Sequence, residues 1–213
     1  QLEVLKTGLP EYTVVGVGRE DGKTAGEYAP IFFKQAKYTL LDQNTFWLCE
    51  KPDSVGMVGW DAALTRIATW VKLQDKKTGQ ILMVVNTHFD HIGTEARRNS
   101  ALLIIEKIKE IVGTSPAILT GDFNVSEDWD AYKTITNNEF ILKDAHKVAG
   151  KRTGVDFTYH NFGKIPAEKC EKIDFIFVTP QIRVISSYIP FSQLNDTLFL
   201  SDHNPEIVEL EIK

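Results

Sequence analysis

The residues best placed to do chemistry are an acid–amide pair and an acid–histidine pair. Asp122 and Asn124 follow a short apolar run, Ala117-Ile118-Leu119-Thr120, and stand two residues apart across Phe123. On an extended backbone residues i and i+2 share a face. The carboxylate and the carboxamide then aim at one spot, with Phe123 turned into the core. Such a pair can hold a hard cation, a water or a phosphoryl oxygen. It also suits a strand-ending turn, because Gly121, Asp122 and Asn124 all favour turns. The design recurs along the chain. The apolar residues 81–85 run into Asn86-Thr87-His88-Phe89-Asp90-His91, residues 198–200 run into Ser201-Asp202-His203, and Asp174 precedes the apolar run 175–178.

If these four ends meet at one rim, the strand of Asp174 must run opposite to the other three. The rim then gathers Asp122, Asp174, Asp202, Asn124, His88 and His203. Converging carboxylates repel, and a divalent cation relieves the repulsion; an all-oxygen set favours Mg²⁺ or Mn²⁺ over zinc. A histidine whose tautomer is fixed by a carboxylate can act as a general base near neutral pH. The group thus suits metal-assisted hydrolysis of a phosphoester. Each member also has a structural reading. His88 and His91 can be satisfied polar residues at a strand end, Asp90 can pair with His88, and Asp202 can cap a turn before Pro205. His88, Asp90 and His91 are also possible zinc ligands by type, although no Cys partner or His-x-x-x-His helix supports that.

The elements that position these residues follow from hydrophobic pattern. β-branched and aromatic runs predict strands at 12–18, 30–33, 38–42, 46–48, 67–74, 81–85, 117–120, 173–178, 184–185, 188–189, 198–200 and 207–212. Helices are predicted at 1–7, with Gly8 ending it, and from Thr94 to Gly113, with Leu102, Ile105, Ile108, Ile111 and Val112 on the buried face. A further helix follows Ser126, with Trp129 and Tyr132 facing inward. Many short strands with few helices describe one β-rich α/β domain, a sandwich with helices outside.

Composition sets the outer bounds. The 213 residues fit one large domain, and 43% hydrophobic with 25% charged residues is ordinary for a globular chain. The net charge of −5 and scattered Lys and Arg argue against a surface that coats long nucleic acid. No apolar stretch approaches the length of a membrane span. Cys49 and Cys170 lie far apart with no metal-ligand spacing, so they form no disulfide scaffold.

Asn86-Thr87-His88, Gly121-Asp122-Phe123-Asn124, Ile173-Asp174-Phe175-Ile176 and Ser201-Asp202-His203, in that order, resemble the endonuclease/exonuclease/phosphatase superfamily, whose type is deoxyribonuclease I-like. Arg19-Glu20-Asp21-Gly22, Gly26-Glu27-Tyr28, Phe46-Trp47-Leu48 and Gly59-Trp60-Asp61 look like a bacterial branch with poorly defined substrates. The resemblance implies a four-layer α/β/β/α sandwich, two mostly antiparallel sheets face to face with helices outside. It implies His203 as general base, Asp174 orienting it, Asp122 positioning the attacking water, and His88 on a phosphoryl oxygen. It further implies Asn124 holding phosphate or metal, Asp202 helping to hold metal, and Mg²⁺ (or Mn²⁺) as cofactor. Both Asp202 and His203 can act only if the segment bends. In the superfamily a metal-binding Glu in a Gln-Glu motif precedes the helix with which this chain opens, and an Asn lies on an earlier strand. Neither has a counterpart here. The resemblance therefore implies a single domain over 1–213 lacking its first strand and the start of its first helix, with weak metal binding and weak or no activity. Lys172 replaces an Arg common in relatives and is expected to matter little.

The implied activity is hydrolysis of a phosphomonoester or phosphodiester of a small molecule, by a monomer. The rival readings are a nuclease acting on DNA or short RNA, with Trp60, Phe89, Tyr159 and Phe162 as stacking platforms, and a non-catalytic binding module. Arg19, Arg66, Arg97 and Arg98 are candidate phosphate contacts. Arg97, on the helix face, reads better as a surface ion pair.

Overall fold

The computed structural model describes residues 1–137, 142–195 and 198–213. In chain order its elements are α1 (Leu2–Gly8), β1 (Tyr12–Val15), β2 (Ile31–Lys34), β3 (Tyr38–Trp47), β4 (Ile67–Asp75), β5 (Ile81–His88), α2 (Thr94–Val112), β6 (Ala117–Asp122) and α3 (Asp130–Thr136). There follow β7 (Lys143–Asp144), α4 (Ala145–Val148), β8 (Lys151–Gly154), β9 (Asp174–Val178), β10 (Ile182–Ile189), β11 (Gln193–Asn195), β12 (Leu198–Phe199) and β13 (Ile207–Ile212).

The frame is a six-stranded sheet in the order β3-β4-β5-β6-β9-β7. Its β5–β6 pair is parallel and the rest of its pairings are antiparallel. One face is covered by α2 and α3, where Met83, Val85, Leu119, Phe175 and Phe177 meet Ala101, Ile104, Ile108 and Ile135. The other face meets the second layer in two places. Leu82, Ile118 and Val178 contact Ile182 and Val184 of the three-stranded sheet β13-β10-β8. Val71 and Leu73 contact Val15, Ile31 and Phe33 of the β1-β2 hairpin. Burial on both faces explains why β4 and β5 read as nearly continuous apolar runs. The fold is thus a mixed α/β sandwich.

Several expectations change in detail. The separate strands at 38–42 and 46–48 are one strand, β3, whose polar middle, Asp42-Gln43-Asn44, is exposed and carries a bulge after Leu40. The strand pieces at 184–185 and 188–189 likewise join as β10. On α2, Ile105, Ile108 and Val112 are buried as predicted and Ile111 partly so, while Leu102 is half exposed and Ala101 and Ile104 are buried in its place. Thr94 does not cap this helix; the Asp61 carboxylate accepts from Glu95 and Ala96 backbone N–H groups instead, a cap that arrives from another loop. Ser126 does not cap α3, which starts at Asp130, and Trp129 is 42% exposed rather than buried. Residues 198–200 are not a core strand: among the described residues Leu198–Phe199 pairs with β11 alone.

Candidate active site

Three adjacent strands of the large sheet end in one row. His88 stands opposite Asp122 across the parallel β5–β6 pair, and Asp122 stands opposite Asp174 across the antiparallel β6–β9 pair. The strand of Asp174 thus runs against the other two, as a shared rim requires. Each polar residue is followed by a phenylalanine on the opposite face. Phe89, Phe123 and Phe175 are 0, 0 and 2% exposed. Their rings meet edge to face, with centroids 4.9 Å apart for Phe89–Phe123 and 6.1 Å for Phe123–Phe175. Alternation along a strand turns this buried aromatic cluster into a clamp on the side chains above it.

Gly121 is required for the row to close up. Its φ of +154° disfavours a side chain, and a Cβ there would lie 2.2 Å from the Thr87 carbonyl oxygen of β5. Beyond β6 the chain turns at Asn124, with φ of +49°. Asn124 backbone N–H donates to Asp122 Oδ1 (2.9 Å) and its Nδ2 donates to the Phe89 carbonyl (3.0 Å). The amide nitrogen is therefore used structurally, which leaves Oδ1 as the atom with chemistry to offer.

His203 arrives from outside the sheet. Tyr159 bridges to it, and their rings are 4.9 Å apart. His160 and Asn161 N–H groups donate to the Asp202 carbonyl, and Asn204 N–H donates to the Thr158 carbonyl at 2.7 Å. A bend at Asp202 is the departure from extended backbone that the segment needs. His203 Nδ1 pairs with Asp174 Oδ2 at 2.7 Å, and His88 Nε2 lies 3.4 Å from Asp122 Oδ2. Ligand atoms of Asp122, Asp174 and His203 all lie within 4.8 Å of one another. The Asp202 carboxylate lies outside that group and accepts from Ser201 Oγ. The row opens onto a slot of about 420 Å³ lined by Tyr28, Asn86, His88, Asp122, Asp174 and Glu206.

The electrostatics divide these groups. Burial, then the charge of Asp174, pushes the Asp122 carboxyl up to about 6. Burial alone would lower His203, but its hydrogen bond to Asp174 and the charges of Asp174, Asp122 and Asp202 outweigh it and raise its pKa. Burial and the nearby Arg66 guanidinium press His88 down to about 4, so it is neutral at pH 7. Two histidines with opposite shifts flank two carboxylates that crowd each other.

Other expected residues have different surroundings. Arg19 is 9% exposed and ion-pairs with Glu27. Arg66 is 4% exposed and holds Asp90 and His91. Arg97 is buried rather than a surface ion pair: its Nη1 donates to the Asp90 carbonyl, and the guanidinium lies 4.7 Å from the Trp129 ring centroid. Arg98 is exposed beside Glu95. Asp90 pairs with Arg66 rather than His88 and accepts from Ile92 and Gly93 N–H groups. Among the described residues the metal-type cluster is Asp122–Asp174–His203, not His88–Asp90–His91. Phe89 is wholly buried and cannot stack on a ligand.

Three residues near the row had no assigned role. Lys172, far from incidental, is buried; its Nζ donates to the Asp174 carbonyl at 2.9 Å and pairs with Glu206 Oε2 at 2.9 Å. Glu206 itself sits between Pro205 and an alternating strand, with no signal to mark it. Glu27 lies in a motif noted for its resemblance alone.

Comparison with known proteins agrees with this geometry. The pattern of the Endonuclease/Exonuclease/phosphatase family matches residues 11–203. A crystal structure of an endonuclease/exonuclease/phosphatase from Bacteroides vulgatus is 64% identical, with a TM-score of 0.96, over 100% of this chain and 80% of that one. The mannosyl-6-phosphatase Bt3783 of Bacteroides thetaiotaomicron is 37% identical, with a TM-score of 0.91, over 99% of this chain and 81% of that one. An uncharacterized protein, L388, of Acanthamoeba polyphaga mimivirus is 30% identical over 220 residues, covering 99% of this chain and 80% of its own length. Members of this family are hydrolases that act on phosphate esters. The chain belongs to the endonuclease/exonuclease/phosphatase family.

Proposed function

We propose that this protein is a divalent-metal-dependent phosphoesterase that hydrolyses the phosphomonoester of a small molecule, with phosphorylated sugars as the first class to test. The observation that carries the reading is the 2.7 Å His203–Asp174 pair standing beside Asp122, which itself lies 3.4 Å from His88, in a row whose Asp174, Asp122 and His88 line the slot. The 37% identity to a mannosyl-6-phosphatase supports the choice of sugar phosphates. The acidic balance of the chain favours a small substrate over a long polyanion.

In this reading Asp174 fixes the His203 tautomer, so that Nε2 is the basic nitrogen presented to the slot. His203 takes a proton from the attacking water, which Asp122 orients. His88, neutral at pH 7 because of burial and Arg66, donates an N–H to a phosphoryl oxygen. Arg19 is the further substrate contact; Asn124, whose amide nitrogen is held by the Phe89 carbonyl, offers only an acceptor oxygen, which suits a cation rather than the phosphate.

The donor set fits a hard cation. Two crowded carboxylates, one with its pKa pushed up to about 6, carry negative charge that nothing in the row fully balances. Asp122 and Asn124 Oδ1, with Asp202 from the adjoining bend, would hold Mg²⁺, with Mn²⁺ as the alternative. When bound, it supplies neutralisation of charge on the phosphoryl oxygens. With so few carboxylates the cation is held weakly until a phosphate completes its shell.

The test is phosphate release from a panel of hexose phosphates, other phosphomonoesters, phosphodiesters and short RNA, with Mg²⁺ and with chelator. Mg²⁺-dependent release from a monoester supports the reading. Cleavage of RNA in preference would replace it with a nuclease, and binding without turnover of any ester would replace it with a binding module.

A further inference from the structure

Beside His88, two buried arginines converge on one exposed carboxylate. Arg19 lies in a loop closed by its own backbone: Gly18 N–H donates to the Lys23 carbonyl, Glu20 N–H to the Ala25 carbonyl and Arg19 N–H to the Glu27 carbonyl. A Cβ on Gly18 would lie 2.2 Å from the Ala25 oxygen, so the loop has little freedom to deform. The Trp47 indole N–H donates to the Arg19 carbonyl at 2.7 Å. Arg66, at the start of β4, spends Nε on Asp90 and Nη2 on His91. Its Nη1 is buried and has no hydrogen-bond partner. Glu27 Oε2 lies 4.0 Å from it, beyond hydrogen-bond reach, and Arg19 Nη1 donates to that same oxygen.

This arrangement is costly for a purely structural pair. A buried guanidinium with an idle N–H loses hydration without a bond in return, and Glu27 is the acid that both guanidiniums approach, Asp90 offsetting Arg66 alone. Glu27 is 60% exposed, so its carboxylate can leave for water at little loss, whereas the arginines cannot. Glu27, Tyr28 and His88 line an open cleft of about 690 Å³. The cationic pair acts on that cleft, since both arginines depress His88.

We propose that Arg19 and Arg66 form an anion subsite for the phosphate group of a phosphomonoester, which Glu27 occupies in the unliganded protein and must vacate for the ligand to bind. Resting on the phosphoesterase reading, this subsite selects a terminal dianionic phosphate over the singly charged phosphate of a diester. The Arg19 guanidinium and the idle Arg66 Nη1 answer the two charges and several oxygens of the monoester, and a carboxylate is a weaker stand-in for it.

The test is calorimetric titration of the metal-free protein with inorganic phosphate, methyl phosphate and dimethyl phosphate, with thermal unfolding as the fold control. Glu27→Gln removes the competitor and tightens phosphate by about tenfold, the scale of one charged hydrogen bond. Arg19→Gln weakens it by about as much. Arg66→Lys, which keeps a buried charge but loses the idle Nη1, also weakens it. Methyl phosphate binds more tightly than dimethyl phosphate. Unchanged or weaker binding in Glu27→Gln would make Glu27 only a structural partner of the arginines and overturn the proposal. So would equal affinity for the mono- and dimethyl esters. His203→Ala separates the two readings: it stops turnover while the effects of Glu27→Gln and Arg19→Gln on phosphate binding persist. If the subsite fails, phosphate release by the wild-type chain still stands as evidence for the phosphoesterase.

Discussion

Replacing Asp122 with Asn is predicted to stabilise the unliganded fold while abolishing phosphoester hydrolysis. The Asp122 side chain is 18% exposed, and its pKa stands at about 6 rather than 3.8 because of burial and the charge of Asp174. At 1.36 kcal/mol per tenfold change in acidity, the charged form is disfavoured by about 3 kcal/mol. Some of that is recovered through residual solvent, so the net gain expected from Asn is about 1–3 kcal/mol. The folded-state pKa of this acid is raised. Its penalty is therefore absent below about pH 4 and complete above about pH 6. Asn keeps an oxygen to accept the Asn124 N–H, so the turn survives. The assay is thermal and urea unfolding of wild type and variant at pH 4 and pH 8 with chelator present. The expected outcome is equal stability at pH 4 and a Tm higher by roughly 2–10 °C for the variant at pH 8, from about 2–4 °C per kcal/mol at this chain length. A variant that is destabilised equally at both pH values would refute the claim that Asp122 sits in unrelieved carboxylate repulsion.

Other consequences follow from the same row. Mg²⁺ raises the Tm of wild type at pH 8 and does so less for Asp122→Asn, because the cation relieves the repulsion the variant has already lost; equal shifts would place the cation elsewhere. The rate of hydrolysis climbs as pH rises through and above the ordinary histidine value, since the raised pKa of His203 must be passed to free its base form. Asp174→Asn keeps an oxygen for His203 Nδ1 but removes the charge that helps raise its pKa, so the rising limb moves to lower pH as activity falls, and an unmoved limb would separate that histidine from the rate. Phe123→Ala costs about 3–5 kcal/mol as a core truncation and loosens the side chains on either side of it. Its effect on turnover should exceed that of Leu119→Ala, a core truncation three residues back along β6 from Asp122.

The strand ends were legible because alternation there is strict: apolar runs stop at a polar residue and resume one position later with phenylalanine. Asp122-Phe123-Asn124, His88-Phe89 and Asp174-Phe175 could be placed on one rim from parity alone, together with the direction of the Asp174 strand. Asp202 could not, because its bend depends on hydrogen bonds from His160 and Asn161 to its carbonyl, contacts that cross forty residues. The Asp61 cap of α2 was hidden for the same reason. Ile105, Ile108 and Val112 were legible as the buried stripe of α2, but Leu102 fits the same spacing, and only the sheet beneath decided that Ala101 and Ile104 face inward instead of it. Trp129 looked like core by residue type, yet it covers Arg97 at the surface. The pairing of Arg19 and Arg66 around Glu27 joins a loop, a strand start and a motif, and no local spacing announces it.

The central claim is that the His203–Asp174–Asp122 row hydrolyses phosphomonoesters. Single-turnover phosphate release from mannose 6-phosphate, with protein in excess and Mg²⁺ present, measures it most directly in wild type and His203→Ala. The account predicts release that chelator stops and that His203→Ala slows by about 10²–10⁴-fold, the range for losing a general base, with the variant still folded. Release that survives His203→Ala at the wild-type rate would contradict it.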